Sequence, residues 1–264
     1  GADGNSQGSN EEWVEERGSG DFEPLRNPRA SRNCYARAGA EMWRTDGTER
    51  GTTRVDDLQA GLARSDPMYI TPFDGALFYS ANHKMHGTEL WRTGTGEESG
   101  TRLVKDIRRG GSSSNPRFLT VCNGKLFFAA VDDEEGDELW VSDGKLGWLG
   151  AQSFVPGSDA KSVRGYRSTS GSGTFSVRDI WPGLKSSAPQ YLACLGGSGT
   201  DAHGYSLNAG GILYFSADDG THGTELWRTD GRRTFMVKDI NPLGASSPKY
   251  LTAFDGRVYF SADD

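Results

Sequence analysis

The sequence predicts an all-β protein: a β-propeller, or a propeller segment, of four or more four-stranded blades preceded by an extended N-terminal arm. Three observations carry that expectation. A tripeptide, Glu-Leu-Trp or its variant Glu-Met-Trp, recurs with its tryptophan at 43, 91, 140 and 227, giving spacings of 48, 49 and 87 residues. A fixed period of this size marks an array built from one supersecondary unit. Each period holds four short runs of aromatic and β-branched residues, the signature of strands, and the composition, with 37 Gly among 264 residues and 34% hydrophobic residues, suits strands and turns better than packed helices.

Taken in order, residues 1–33 are polar, punctuated by Gly, Ser and Pro, and carry an acidic patch at Glu11-Glu12 and Glu15-Glu16. They read as an extended arm, which Trp13 and Val14 could anchor. The start, Gly1-Ala2-Asp3-Gly4, has no initiator Met and no signal-peptide core, and the chain ends within a repeat. Both features read as a processed or incompletely traced chain.

Residues 34–264 hold the repeats. One piece is an apolar run after a Gly turn: Ala76-Leu77-Phe78-Tyr79, Lys125-Leu126-Phe127-Phe128, Ile212-Leu213-Tyr214-Phe215 and Arg257-Val258-Tyr259-Phe260, with Cys34-Tyr35-Ala36 a weak version. Asp74-Gly75, Asn123-Gly124 and Asp255-Gly256 ahead of these runs are hairpin turn signals, because Gly tolerates positive φ. The Glu-Leu-Trp strand follows. A third strand ends in Val-Lys-Asp-Ile at 104–107 and 237–240, Val-Arg-Asp-Ile at 177–180, and the looser Val-Asp-Asp-Leu at 55–58. The fourth begins at Pro67, Pro116, Pro189 and Pro248. Cut at the Glu-Leu-Trp strand, the units begin near 41, 89, 138 and 225. They either close on themselves or form an arc of a larger ring.

The 87-residue spacing is one unit with two insertions, near 145–173 and 196–209, rich in Gly and Ser and without periodicity. Long loops on a rigid scaffold are where binding function tends to sit.

Net charge is -7 with the acids spread along the chain, which speaks against a basic nucleic-acid footprint. No apolar run is long enough to span a membrane as a helix. Cys34, Cys122 and Cys194 form no metal-type cluster. Cys122 and Cys194 occupy nearly the same place in two successive units, so they could pair as a disulfide or remain buried thiols.

The pattern Glu-Leu-Trp-x-x-Asp-Gly-Thr, followed by Val-Lys-Asp-Ile-x-Pro and Ser-Ser-x-Pro-x-x-Leu-Thr, resembles the ELWxxDGT repeat family over about residues 34–264. The first unit departs most, with Met42 for Leu, and Gly94 replaces the turn Asp in the second. The resemblance implies a propeller-like repeat of secreted and surface proteins, bacterial and algal, regarded as binding or scaffold modules with no assigned catalytic residue. It therefore implies an extracellular or cell-surface setting; an organelle lumen is the other setting considered.

Residues repeated in every unit serve the unit. The repeated acids Glu41, Glu89, Glu138 and Glu225, and Asp57, Asp106, Asp179 and Asp239, are expected to accept from turn N–H groups or a neighbouring Arg or Lys. Trp43, Trp91, Trp140 and Trp227 are expected to pack the blades; a ring of Trp presented to sugars is the rival. Asp132, Asp133, Asp218 and Asp219 crowd carboxylates into Gly-bearing turns, and a Ca²⁺ site there is a candidate because hard cations take oxygen ligands. Otherwise no cofactor is expected. His83, His86 and His222 could meet across blades as a transition-metal site. No nucleophile elbow, P-loop or zincin motif is present.

The expected function is a non-catalytic structural or interaction module, presenting loops to a protein or glycan partner in a larger extracytoplasmic assembly. The alternative is a glycan-active hydrolase or lyase with carboxylates converging at one mouth of the ring.

Overall fold

The computed structural model describes residues 40–59, 63–94, 100–146, 173–196 and 211–264, all within one compact unit, Ala36–Asp264. The expected arm, the Cys34-Tyr35 strand and nearly all of both insertions lie outside the described residues. Among the described residues there is no helix, and every regular element is a strand.

Sixteen strands form five antiparallel sheets. A two-stranded sheet pairs β1 (Trp43–Arg44) with β2 (Thr53–Arg54). The first four-stranded sheet follows chain order through β3 (Met68–Phe73), β4 (Ala76–His83), β5 (Gly87–Gly94) and β6 (Gly100–Lys105). The second is β7 (Arg117–Cys122), β8 (Lys125–Val131), β9 (Asp137–Ser142) and β10 (Thr174–Arg178). The third is β11 (Gln190–Leu195), β12 (Ile212–Asp218), β13 (Thr224–Thr229) and β14 (Thr234–Lys238). A last hairpin pairs β15 (Lys249–Phe254) with β16 (Arg257–Ser261). Each complete sheet thus begins at the strand after the proline and ends at the Val-Lys/Arg-Asp-Ile strand. The Glu-Leu-Trp strand is the third strand of each four-stranded sheet, so the four sequence units become, among the described residues, three four-stranded sheets and two two-stranded ones.

Successive sheets touch through their first strands, β3 on β7, β7 on β11 and β11 on β15. The core lies between sheet faces. Phe78, Leu90, Val104 and Ile107 of the first sheet pack on Leu126, Phe128, Ala130 and Trp140 of the second. Phe127, Leu139 and Val141 of the second pack on Leu213, Phe215, Ala217 and Trp227 of the third. Met42, with Val55 and Leu58, packs on Tyr79, Ala81 and Trp91.

The hairpin turns follow from their sequences. Asp74-Gly75, Asn123-Gly124 and Asp255-Gly256 have positive φ at both residues, +46° to +72°, the geometry whose twist matches flanking strands. Cys122 at the end of β7 and Cys194 in β11 form a disulfide, with Cα atoms 5.5 Å apart, that ties the second sheet to the third. Of the two states left open by spacing, the paired one is present.

Candidate functional site

The repeated glutamates are buried. Glu41 is nearly enclosed, and Glu89, Glu138 and Glu225 are fully so. Each carboxylate reaches the serine two residues ahead of the next proline. Glu89 accepts from Ser114 Oγ at 2.6 Å, Ser114 N at 3.0 Å and Ile107 N at 3.0 Å. Glu138 accepts from Ser187 Oγ at 2.6 Å, Ser187 N at 3.1 Å and Ile180 N at 3.2 Å. Glu225 repeats the set with Ser246 and Ile240, and Glu41 holds Ser65 through Oγ and N. The carbonyl of each of these serines then accepts an N–H from the next unit: Ser65 O from Asn82, Ser114 O from Val131, Ser187 O from Asp218 and Ser246 O from Asp263, at 2.7–2.9 Å. Each Glu–Ser pair is therefore a latch between consecutive sheets. The sequence signal for the serine was its fixed place before the proline; of the two kinds of partner expected, backbone N–H groups are used and an Arg or Lys is not, and the serine hydroxyl is added to them.

Burial pushes the Glu89 and Glu138 carboxyls up to about 7, against the hydrogen bonds from serine and backbone that pull them down. In these two latches the serine can also donate onward, Ser114 Oγ to Thr88 O and Ser187 Oγ to Asp137 O, so a protonated carboxyl still has a place to donate. These two perturbed acids sit in separate sheets, each enclosed by its own latch.

Glycine precedes the latch for a steric reason. Gly87, Gly136 and Gly223 have φ of +64°, +76° and +73°, and a Cβ there would meet Ser112 O at 2.2 Å, Lys185 O at 2.5 Å and Ala245 Cα at 2.9 Å.

Trp91, Trp140 and Trp227 are 0–4% exposed. They pack sheet on sheet and present no ring to solvent, which removes the sugar-facing alternative for these three. Trp43 is 58% exposed. The base of Val-Lys/Arg-Asp-Ile covers the tryptophan of the following sheet: Lys105 Nζ stands 4.8 Å from the Trp140 centroid and the Arg178 guanidinium 5.7 Å from that of Trp227. Each base also donates to the first residue of the following sheet's last strand, Lys105 to Thr174 O and Arg178 to Thr234 O. Burial holds the Lys105 ammonium below its usual range.

The repeated aspartates close turns. Asp106 Oδ2 takes His86 Nδ1 at 3.0 Å and Gly110 N at 3.4 Å, Asp179 Oδ2 takes Gly183 N at 3.1 Å, and Asp57 pairs with Arg54 at 3.1 Å. The Oδ1 of Asp57, Asp106, Asp179 and Asp239 is buried without a hydrogen bond.

The acidic turns use their carboxylates on their own backbone. Asp132 accepts from Glu134 N and Glu135 N, Asp218 from Gly220 N, and Asp219 from Thr221 N and His222 N, while Asp133 pairs with Arg108 at 2.7 Å. Among the described residues no three His, Cys, Asp or Glu side chains gather as a metal-holding group. His83 and His86 stack on each other at 5.3 Å beside Trp91, whereas His222 pairs with Asp219 of its own turn. The cross-blade histidine meeting is not what these contacts show.

What sequence reasoning missed lies on the first strand of each sheet. Tyr69, Phe118, Tyr191 and Tyr250, one per unit, all have left-handed backbones, with φ of +53° to +59°. Each sits at a register shift between its strand and the next. Bulky non-glycine residues avoid this region at roughly 1–2 kcal/mol each, so its fourfold recurrence is imposed by the fold. The threonine two positions on caps the bulge: Thr71, Thr120 and Thr252 hydroxyls donate to the carbonyls of Tyr69, Phe118 and Tyr250 at 2.8–3.2 Å. The third unit has Ala193 instead. The bulges turn the rings toward one another, Tyr69 edge-on to Phe118 at 6.0 Å and Tyr191 to Tyr250 at 5.7 Å. Between them lies a groove of about 500 Å³, lined by residues 69–71, 118–120 and 190–192 with no carboxylate among them.

Compared with protein-family models, with curated proteins and with solved structures, the chain matches none. No helix is long and apolar enough to cross a membrane among the described residues.

Proposed function

We propose that the sheets are blades of a propeller, or of a segment of one, and that the chain is a non-catalytic module whose inner groove holds a protein or glycan partner in an extracytoplasmic assembly. The observation that carries this reading is the ladder of four aromatic residues held in strained backbone on the first strands of the sheets. Three of the four, Tyr69, Phe118 and Tyr191, line the groove; strain that recurs where side chains face an open groove points to a role for those side chains, and aromatic rings with neighbouring hydroxyls suit a partner with both apolar and polar faces. The repeated acids support it from the other direction, because their carboxylates hold sheets together rather than facing the groove. The Cys122–Cys194 disulfide supports an oxidising compartment. A glycan hydrolase would need two carboxylates some 5–10 Å apart across one site. The two acids with raised pKa lie in different sheets.

The test is titration calorimetry against a panel of neutral and acidic oligosaccharides and proline-rich peptides, with parallel assay for released reducing ends. Saturable binding that Tyr69→Ala and Tyr191→Ala each weaken at least tenfold, without product, is the expected result. Product formation abolished by Glu89→Gln or Glu138→Gln would replace this reading with the hydrolase.

A further inference from the structure

The polar groups of the groove narrow what it can hold. The groove crosses β3, β7 and β11, and no side chain in its lining, residues 69–71, 118–120 and 190–192, carries a charge. Arg117, the residue before Phe118, is engaged in an ion pair with Asp137. An occupant matched to this lining is uncharged as well, because a charge taken out of water there would meet no counter-charge.

The lining's polar side chains are Tyr69, Tyr191, Thr71, Thr120 and Gln190. Both threonine hydroxyls donate back to the chain, to Tyr69 O at 2.9 Å and Phe118 O at 2.8 Å, so their protons are not offered to an occupant. Two phenol hydroxyls and one carboxamide are then the side-chain donors, set among aromatic and aliphatic groups. Each hydroxyl of a sugar is both donor and acceptor, and one desolvated without a partner costs free energy. A glycan therefore asks for more polar partners than this lining holds. A proline-rich segment asks for few. Proline has no N–H, and the polyproline II conformation makes no internal hydrogen bonds, so its carbonyls need only donors. Aromatic-lined grooves are the surfaces that take this conformation.

Both sides of such a contact are stiff beforehand. Tyr69, Phe118 and Tyr191 stand at equivalent bulges in three successive sheets, with φ of +55°, +59° and +53°. Polyproline II is likewise preformed, so little freedom is lost when the two meet.

We infer that the groove binds an uncharged, proline-rich segment of a partner protein in the polyproline II conformation. Its rings lie against Tyr69, Phe118 and Tyr191, and its carbonyls accept from Tyr191 Oη and Gln190 Nε2. The inference rests on the reading of the groove as the site of a non-catalytic module, and it narrows the partner from protein or glycan to protein.

Fluorescence anisotropy of the whole chain with a labelled, end-capped oligoproline of about ten residues tests it. An end-capped Gly-Ser peptide of equal length serves as competitor, and a neutral cello-oligosaccharide is followed in parallel by calorimetry and reducing-end assay. The expected result is saturable binding that unlabelled oligoproline displaces and the Gly-Ser peptide does not. Tyr191→Phe keeps the ring and removes its donor; Gln190→Glu keeps the size and exchanges a donor for an acceptor. Each should weaken oligoproline binding about three- to tenfold, the usual effect of one hydrogen bond. Thermal melts should not change, since Tyr191 is half-buried and Gln190 exposed. No saturable binding at millimolar peptide, or binding that neither substitution weakens, would overturn the inference. So would oligosaccharide binding that Gln190→Glu preserves or strengthens, because a sugar hydroxyl can donate to the new carboxylate and a prolyl carbonyl cannot. The groove would then still be the site of a non-catalytic module, with a glycan in it. Cleavage of the oligosaccharide would remove the underlying reading and the inference together.

Discussion

Removing one latch should unfasten two sheets at once, and Glu89 is the place to measure it. Glu89→Leu keeps the side chain's bulk but leaves the N–H groups of Ile107 and Ser114, both buried, and the Ser114 hydroxyl without their acceptor. A buried donor left unsatisfied costs about 1–3 kcal/mol, so two N–H groups and a hydroxyl lose roughly 3–7 kcal/mol. Against this, the variant no longer buries a carboxyl that burial has raised to about 7. That offset is roughly 3 kcal/mol at and above neutral pH. The net expectation is a loss of about 0–4 kcal/mol, whose upper end is a large share of a domain's usual 5–15 kcal/mol. Urea unfolding followed by tryptophan fluorescence at pH 7 reads it, since Trp91 and Trp140 flank the affected interface. Ser114→Ala alone should cost about 1–2 kcal/mol and become nearly silent in the Glu89→Leu background, because the two side chains act as one unit. Strictly additive losses in the double variant would refute the latch.

Stability should fall as pH rises from 5 to 8. Glu89 and Glu138 titrate near 7 when folded and near 4.5 when unfolded, so between these values the folded chain holds protons that the unfolded chain has lost, and the gain vanishes as pH passes 7; urea midpoints that rise over this range would contradict it, and Glu89→Gln should flatten the slope. The Cys122→Ser/Cys194→Ser pair, which opens a crosslink spanning 72 residues, should lower unfolding free energy by about 4 kcal/mol, and an unchanged melting temperature with and without reductant would sink the tie between sheets. Gly136→Ala, whose new Cβ would lie 2.5 Å from Lys185 O, should cost clearly more than Gly124→Ala, which meets nothing within 4 Å; equal losses in thermal melts would show that left-handed φ alone governs both. Thr120→Val should loosen the Phe118 bulge by about 1 kcal/mol, seen as faster amide exchange at residues 118–120, whereas unchanged exchange would dismiss the hydroxyl cap.

The strand order within each sheet was legible because each strand carries local chemistry: a proline before the first, Asp-Gly or Asn-Gly before the second. Where a sheet begins was not. Cutting at Glu-Leu-Trp is equally periodic, and periodicity carries no phase; only pairing across β4 and β5 sets it. The glutamate's burial was hinted by its recurrence, but its serine partner lies 21–49 residues away across a chain reversal, and spacing alone favours no partner over another. The aromatic ladder was the least legible part. Tyr69, Phe118, Tyr191 and Tyr250 look like ordinary strand residues, and nothing local marks such an aromatic residue for positive φ; the bulge shows only in the register shift between each first strand and the next. Trp43 shows the converse, a packing residue by sequence that is 58% exposed where its three counterparts are buried.

The most direct test of the account is native-state hydrogen exchange at the latch amides, Ser114, Ser187 and Ser246 with Ile107, Ile180 and Ile240. The prediction is slow exchange at all six, with opening free energies close to that of global unfolding in each of the three sheets. Fast exchange at the serines, while the strands themselves stay protected, would contradict the claim that these buried glutamates hold the sheets together.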